Sequence, residues 1–419
     1  MRFNLNVIKI GWFLGWRQLI RSSKWSNILI VAIMILTFLN LVVVSGLLVG
    51  IIEGAVTAAK RNYTGDLIIT SVQEKDYVEN SFNILSNLDI IDGIDAISPR
   101  YLTSAEVESN YKNRTNFEEK KNSVRATVAG IDPESEDSVT NISNLLIEGS
   151  FLEKDDFDEV LVGSMLLRRY FDLDSSEFLV LDDVFIGTKL LLTLNGQSRE
   201  VRVKGILKSK VDEIDRRIFM TDSQLRNMIG RSDLNVSEIA VLIGKNNTPN
   251  NVKKILLDNG FGENAKIQTF EDAQPKFLQD MKDTFTLLGN IISSIGLVVA
   301  AITIFIVIFI NAITRRKYIG IMKGIGVSGI AIELSYVFQS LIYALIGSVI
   351  GLGLVYLFLI PYVQANPINF PFSDGILVAP LWDTIGKVTL LITTTVLAGY
   401  IPARMIVQKN TLDSILGRN

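Results

Sequence analysis

The chain has 419 residues, of which 48% are hydrophobic, and 41 basic against 44 acidic residues give a formal net charge of −3. The hydrophobic share is high for a soluble protein and low for a chain made of membrane helices alone, and the charge does not indicate nucleic-acid binding. The sequence contains no histidine and no cysteine. This excludes Cys/His metal sites, histidine general bases, thiol nucleophiles and disulfide bonds.

The N-terminal stretch, residues 1–26, is predicted to form an amphipathic helix at the cytoplasmic membrane surface. Apolar residues recur in it at helical spacing, and polar and basic residues fill the other face; the apolar ones are Trp12, Phe13, Trp16, Leu19 and Ile20. The alternative interpretation is that this helix only extends the first membrane span. A cleaved signal peptide is not expected, because the next apolar run is longer than a signal core and no Ala-x-Ala site follows it.

Four apolar runs are long enough to cross a membrane, which takes about 20 residues. They lie at residues 27–52, 285–313, 334–361 and 384–406. The fourth run is the weakest, because Lys387 and Pro402 lie within it.

Lysine and arginine near the ends of these runs predict the orientation of the chain. The segment before the first run, the segment between the second and third, and the C-terminal tail are all basic, so they and both termini are expected in the cytoplasm of an inner (plasma) membrane protein. The segment between the first and second runs holds nearly all of the 44 acidic residues and is expected outside. The chain should therefore consist of residues 1–26 (amphipathic helix), 27–61 (first span and stalk), 62–279 (extracytoplasmic domain), 280–313 (stalk and second span), 314–330 (cytoplasmic helix), 331–361 (third span), 362–383 (outer loop), 384–406 (fourth span) and 407–419 (cytoplasmic tail).

The extracytoplasmic segment shows mixed α and β periodicity. A strand, a helix and a strand are predicted at 67–70, 78–88 and 96–101, and again at 238–243, 251–259 and 266–270. Two such units at the two ends of one segment predict a split α/β layer that closes when the ends meet. The predicted fold class is therefore an α-helical membrane bundle of four transmembrane helices plus an α+β extracytoplasmic domain with a β-rich insertion.

The β-rich insertion is expected at about residues 131–235. Its clearest feature is Asn195-Gly196 between two β-type runs, which favours a type I′ hairpin turn, although Gln197-Ser198 could lengthen the turn. Residues 111–123 are polar and aperiodic and are expected to form a loop.

No enzymatic site is recognisable in the sequence. It contains neither a G-x-x-x-x-G-K-[ST] P-loop nor a G-x-S-x-G nucleophile elbow. An acidic cluster lacks EF-hand spacing and is interpreted as a solvated surface, like Asp182-Asp183; its members are Asp155, Asp156, Asp158 and Glu159. We therefore expect no catalytic, cofactor-binding or metal-binding residues.

The most informative stretch is residues 314–329, Thr-Arg-Arg-Lys-Tyr-Ile-Gly-Ile-Met-Lys-Gly-Ile-Gly-Val-Ser-Gly. It resembles the signature of the MacB/LolC/FtsX-type ABC transporter permeases, in which a basic pair leads into an Ile-Gly-Ile-x-Lys-Ala-Ile-Gly-Ala-Ser-like run. Gly324 and Val327 stand where alanine is usual. Other features also resemble that family. They are a Pro-Ala-Arg ending at 402–404, a tail phrase at 412–416, and short phrases of the outer segment at 96–99, 148–151, 160–163 and 203–206. The order of one span, a large outer domain and three spans resembles it as well.

The resemblance implies a permease that works as a homo- or heterodimer with a separate ATPase subunit, which would bind the ATP. It also implies that a short helix after the second span docks on that ATPase. The residues concerned are Arg315, Arg316, Lys317, Ile319, Gly320, Ile321, Met322, Lys323, Gly324, Ile325 and Gly326.

Within this helix, Ile319, Met322 and Ile325 are expected to form an apolar ridge, with Arg316, Lys317 and Lys323 as its basic flanks.

The resemblance implies ATP-driven export or extrusion of a lipoprotein, a peptide or a small hydrophobic substrate. The alternative is a non-transporting permease that moves its outer domain to regulate a partner such as a cell-wall hydrolase. A third interpretation, an unpaired receptor-like membrane protein, is disfavoured by the basic, glycine-rich loop. The sequence leaves open the substrate and whether the envelope has one membrane or two.

Overall fold

The computed structural model describes residues 5–73, 75–112, 121–171, 179–274, 276–366 and 377–408. Most of the predicted cytoplasmic tail, the middle of the outer loop and most of the loop at 111–123 lie outside the described residues. The chain forms two compact units. The membrane unit comprises Met1–Glu53, Asp280–Phe370 and Asp374–Asn419, and the sheet unit comprises mainly Gly54–Gln279.

The described α-helices, in chain order, are α1 (Leu5–Ile20), α2 (Lys24–Leu39), α3 (Ser45–Ala59), α4 (Ser81–Ile90), α5 (Pro133–Thr140), α6 (Asp212–Asp215), α7 (Asp222–Ile229), α8 (Pro249–Asp258), α9 (Phe270–Ala273), α10 (Lys276–Thr314), α11 (Arg316–Gly324), α12 (Gly329–Gly353), α13 (Ile360–Ala365) and α14 (Leu381–Val407). The described strands are β1 (Leu67–Ser71), β2 (Ile94–Ser109), β3 (Ser123–Ile131), β4 (Leu146–Gly149), β5 (Glu159–Gly163), β6 (Lys189–Leu194), β7 (Gln197–Leu207), β8 (Arg217–Thr221), β9 (Glu238–Ile243) and β10 (Ala265–Thr269).

Four helices in the described part of the chain are long and apolar enough to cross a membrane, as predicted. They are Lys24–Thr64, Leu278–Thr314, Gly329–Ala365 and Leu381–Val407, which we call the first to fourth spans. The first span joins α2 and α3 through a π-helical turn, Asn40–Val44. Its 41 residues make a helix of about 60 Å, roughly twice the hydrocarbon thickness, so part of it lies outside the hydrocarbon layer.

Helix α1 is a separate helix and does not extend the first span. It ends at Ile20, and α2 begins at Lys24 after a short turn. Gly11 and Gly15 allow α1 to approach α12 closely, since a Cβ at Gly15 would lie 2.7 Å from the Ser335 carbonyl oxygen. This packing was not predicted from the amphipathic pattern, because glycine carries no hydrophobic signal.

The core of the membrane unit contains buried side chains from all four spans. Fully buried side chains there include Met34 and Phe38 of the first span and Tyr336 of the third. Gly347 and Gly351 of the third span face Met34 and Phe38, and a Cβ at either glycine would overlap these side chains. The small-residue pair is therefore used for helix packing within the protomer.

The sheet unit contains the predicted split α/β layer. Strands follow the order β10-β1-β9-β2, in which β1 is antiparallel to β10 and β9, and β9 is antiparallel to β2. The β1-α4-β2 and β9-α8-β10 units are therefore each split by a strand of the other unit, as in ferredoxin-like folds. Helix α4 begins at Ser81 rather than at 78, because the backbone N–H of Val78 donates to Val236 instead of entering a helix.

The insertion closes into a six-stranded barrel on the far half of β2. The pairings run β2-β3-β8-β5-β7-β6 and return to β2. The barrel is filled with aliphatic side chains such as Val107, Val128 and Leu192. It already includes β3 from Ser123 onward, so the predicted start at 131 is too late. Both β3 and the far half of β2 alternate polar and apolar residues, which is the pattern of a half-buried strand and which the prediction overlooked.

The predicted hairpin is confirmed. Leu194 pairs with Gln197, so Asn195 and Gly196 alone form the turn. Both have positive φ, 48° and 81°, as a type I′ turn requires. Gln197 belongs to β7 and does not lengthen the turn.

Candidate functional sites

The predicted ATPase-docking helix is present as α11, between the second and third spans. Its C-terminal end is a Schellman motif: the N–H of Val327 donates to Met322 at 3.0 Å, and that of Gly326 donates to Lys323 at 3.0 Å. Gly326 has φ 96°, which requires glycine, whereas a Cβ at Gly324 would meet nothing within 4 Å. The departure from alanine at 324 is therefore neutral for packing, and Gly326 sets the end of the helix.

The predicted apolar ridge of α11 is wrong for two of its three residues. Ile319 is 2% exposed in the core of the membrane unit, and Met322 packs against that core. The opposite face presents Tyr318, Ile321 and Ile325, which are 68%, 45% and 76% exposed. These three follow i, i+3, i+7 spacing and form one exposed apolar stripe, which we call the α11 stripe.

The basic residues around α11 have different environments. Lys317 is exposed, while Arg315 and Arg316 are half-buried. The Nζ of Lys323 donates to the carbonyl of Val407 at 2.9 Å, at the end of the fourth span. Lys323 therefore tethers α11 to the bundle and is not the free flanking charge that we predicted. Gly320 is also buried, against the bundle.

A buried ion network in the sheet unit was not predicted. Arg100, 1% exposed, donates through Nε and Nη2 to both oxygens of Glu136 at 2.7 and 2.8 Å, and through Nη1 to Glu238 at 2.9 Å. Its Nη2 also donates to the backbone carbonyl of Tyr63 at 2.7 Å. Burial would lower the pKa of Arg100, but the two carboxylates raise it, so the guanidinium stays charged.

Tyr63 lies in the last turn of the first span's helix and is enclosed by this network. The guanidinium groups of Arg100 and Arg217 lie 5.0 and 4.9 Å from the centroid of its ring, and its hydroxyl donates to Glu238 at 2.9 Å. Burial favours a raised pKa for Glu238, but Arg217 and Arg100 outweigh it and lower that pKa. The network therefore fixes the end of this helix to the sheet. It contains two cations, Arg100 and Arg217, and two anions, Glu136 and Glu238.

The acidic cluster is engaged by basic side chains and is not merely solvated. Lys204 Nζ lies 2.5 Å from Asp156 and 3.4 Å from Glu159, and Arg199 Nε lies 2.5 Å from Asp158. These contacts fix the segment before β5 against β7. Asp182 likewise pairs with Arg168.

Comparisons with known proteins agree with the described features. Residues 290–411, which include most of the second span, α11 and the third and fourth spans, match the model of the FtsX-like permease C-terminal family. Macrolide export ATP-binding/permease protein MacB of Haemophilus ducreyi is 25% identical over 186 residues, 43% of this chain and 25% of that protein. An uncharacterized ABC transporter permease of Methanocaldococcus jannaschii is 22% identical over 278 residues, 64% of this chain and 65% of that protein.

Two solved structures are distantly similar. The periplasmic region of MacB from Actinobacillus actinomycetemcomitans is 17% identical with a TM-score of 0.35, and covers 51% of this chain and 92% of that structure. The extracellular domain of the noncanonic ABC-type transporter YknZ from Gram-positive bacteria is 15% identical with a TM-score of 0.32, covering 48% of this chain and 99% of that structure. The fold assignment rests on the chain's own helices and strands. The family match and the two permease relatives agree with the motif at 314–329, and together they support an ABC transporter permease of the FtsX/MacB type.

Proposed function

We propose that this chain is the permease subunit of an ATP-driven complex in which a separate ATPase docks on α11. It would act with a second permease protomer in the inner (plasma) membrane, with both termini in the cytoplasm and the sheet unit outside. ATP hydrolysis by the partner would move the sheet unit and so export or extrude a lipoprotein, a peptide or a small hydrophobic substrate. The chain itself would bind no cofactor.

The absence of a P-loop from the full sequence supports a separate ATPase. By its name, the Haemophilus ducreyi protein joins ATP-binding and permease functions in one chain, and the matched region is a quarter of its length. The proposal accordingly assigns the ATP-binding function to a separate subunit.

The observation that carries the proposal is the α11 stripe. Tyr318, Ile321 and Ile325 are exposed on a short, basic helix between two spans. An exposed apolar stripe on a helix indicates a protein partner with a complementary groove. The other face of α11 is fixed by Ile319 in the bundle core and by the Lys323 tether, so a force applied to the stripe would be passed to the spans and not absorbed by a loose loop.

The test is co-purification of the ATPase with an Ile321→Glu variant, followed by ATP turnover of the complex that remains. Loss of one central apolar anchor costs about 2 kcal/mol, or roughly 30-fold in affinity, and a buried carboxylate costs more. Lys317→Ala should weaken association mildly and in a salt-dependent way, as expected for a charge at the rim. Gly320→Glu is not a usable test, because Gly320 is buried against the bundle.

The matched control is Ile90→Glu, the same substitution at an exposed position of the sheet unit. It should leave ATPase binding unchanged. If Ile321→Glu bound and turned over ATP like Ile90→Glu, α11 would not be the docking helix. A complex that hydrolyses ATP but carries no co-purifying lipoprotein, peptide or hydrophobic compound would favour regulation of an external partner over transport.

A further inference from the structure

The turn between α1 and the first span carries a group of exposed cations. Arg17, Arg21 and Lys24 lie at the end of α1, in the turn and at the start of α2, and all three are exposed. No aspartate or glutamate occurs in the first 52 residues. Within the described residues none of the three forms an ion pair, and Arg17 only lies over the ring of Phe13 at 5.5 Å. The turn therefore has positive charge without an internal counter-ion.

The backbone of this turn is held in place by a hydrogen-bond network. Ser22 Oγ and the Tyr343 hydroxyl donate to Asn27 Oδ1 at 2.8 and 2.6 Å, and Asn27 Nδ2 donates to the carbonyl of Leu19 at 2.9 Å. These bonds connect the end of α1, the start of the first span and α12. The cations are thus carried on a fixed frame and not on a flexible arm.

The position of α1 itself is fixed on the third span. Gln339 Nε2 donates to Gln18 Oε1 at 2.5 Å, and Gly11 and Gly15 lie against the α12 backbone. With this face occupied, the remaining side chains of α1 point away from the bundle.

Large apolar side chains surround the cations on the free side. Trp16, Ile20 and Trp25 are exposed, and Trp25 is 82% exposed. Ile28 and Leu29, the next residues of the first span, are exposed as well. Indole rings prefer the membrane–water interface, and exposed aliphatic residues of a span face acyl chains. The exposed cations are therefore followed along the chain by exposed apolar side chains of the first span.

We propose that this turn is a binding site for an anionic phospholipid of the leaflet in which the first span begins. The phosphate headgroup would lie among Arg17, Arg21 and Lys24, and the acyl chains would lie along Ile28 and Leu29. Negative charge is required of the occupant, because no carboxylate in the described part of the chain pairs with the three cations. An apolar tail is required because the cations are bordered by exposed indole and aliphatic groups. The proposal does not depend on the ATPase partner proposed above.

The four tryptophans make the site measurable in the full-length protein. Replacing Trp382 by phenylalanine leaves Trp12, Trp16 and Trp25, all in α1 or at the start of the first span. The Trp382→Phe protein is reconstituted into phosphatidylcholine vesicles that contain either dibrominated phosphatidylglycerol or dibrominated phosphatidylcholine at equal mole fraction. Bromine quenches tryptophan on contact, so the ratio of the two quenching curves gives the relative affinity for the anionic lipid.

We expect the anionic lipid to be preferred by up to about a hundredfold, with a preference that falls as salt is added. Each cation near an anionic surface contributes roughly a fivefold factor. The triple substitution Arg17→Gln, Arg21→Gln and Lys24→Gln should therefore bring the ratio close to one. Lys24→Gln alone should lower the quenching ratio by a smaller amount. It is the variant to test if the triple variant is not monodisperse.

The matched control removes the same charge elsewhere, at Lys245, Lys254 and Lys266 of the sheet unit, and should leave the ratio unchanged. Equal quenching by both lipids in the parent, or an unchanged ratio in the triple variant, would overturn the proposal. Inorganic phosphate should lower the ratio no more than chloride at the same ionic strength. A larger effect of phosphate would identify a site for free phosphate and would equally overturn the lipid assignment.

Discussion

The buried ion network predicts a large and specific effect of substituting Arg100. Arg100→Met keeps a side chain of similar length but removes the guanidinium and its four hydrogen bonds to Glu136, Glu238 and Tyr63. Glu136 would then be a buried carboxylate with no cation, while Glu238 would keep Arg217 at 3.3 Å. Breaking a buried ion pair from one side costs about 3–5 kcal/mol, because the remaining charge is uncompensated.

A second substitution separates lost charge balance from lost packing. In Arg100→Met/Glu136→Met the unpaired carboxylate is removed as well, and Glu238 and Arg217 remain as a neutral pair. Replacing a buried pair by apolar side chains is often close to neutral in stability. The double variant should therefore recover at least half of the stability lost in the single variant.

The assay is urea unfolding of the fragment 54–279, which corresponds to the compact sheet unit. At this size the fragment should fold alone, without metal, and unfold cooperatively. Its stability should lie in the usual range of about 5–15 kcal/mol, so the single variant remains measurable. Arg202→Met, at an exposed arginine of β7, is the matched control and should change stability by no more than about 0.5 kcal/mol. An Arg100→Met effect below about 1 kcal/mol, or a double variant as unstable as the single one, would refute the reasoning.

Two further predictions concern topology and pH. Because the sequence has no cysteine, an introduced single cysteine can be labelled without background. Ser198→Cys and Asn247→Cys should react with an impermeant maleimide in intact cells or spheroplasts. Labelling of Thr314→Cys from outside would refute the four-span orientation. Burial raises the pKa of Asp215 to about 6, so the folded state retains a proton that the unfolded state has already lost; stability should fall as pH rises from about 4 to about 6. Asp215→Asn should remove this decline and raise the stability of the fragment at pH 7 by roughly 2–3 kcal/mol, whereas equal pH slopes for parent and variant in urea unfolding would contradict the assignment.

Local sequence patterns determined the elements whose signal is contained in one segment. Four uninterrupted apolar runs predict the spans, because backbone groups in lipid must be satisfied within a helix. Asn195-Gly196 predicts the hairpin, because only residues that tolerate positive φ form a type I′ turn. The motif at 314–329 placed α11, and the two strand–helix–strand units predicted the split α/β layer.

Tertiary structure decided which side of α11 is available to a partner. Both faces of this short helix carry apolar residues, and the sequence pattern favoured Ile319 and Met322 as readily as Tyr318 and Ile321. Packing against the bundle buried Ile319 and partly buried Met322, and it left Tyr318 and Ile321 exposed. A helix pattern fixes which residues share a face, but the neighbouring helices determine which face is covered.

Long-range pairing decided the remaining features. The partners of Arg100 lie 36 and 138 positions away in the sequence, at Glu136 and Glu238. The barrel closes only because β6 pairs with β2, more than 80 residues apart by register, as in Thr193 with Glu106. Such contacts leave no local periodicity, since each partner taken alone resembles an ordinary surface charge or a half-buried strand. The sequence by itself therefore determined the four membrane-spanning helices and the local elements, and only the fold brought together the charges that hold Tyr63 against the sheet.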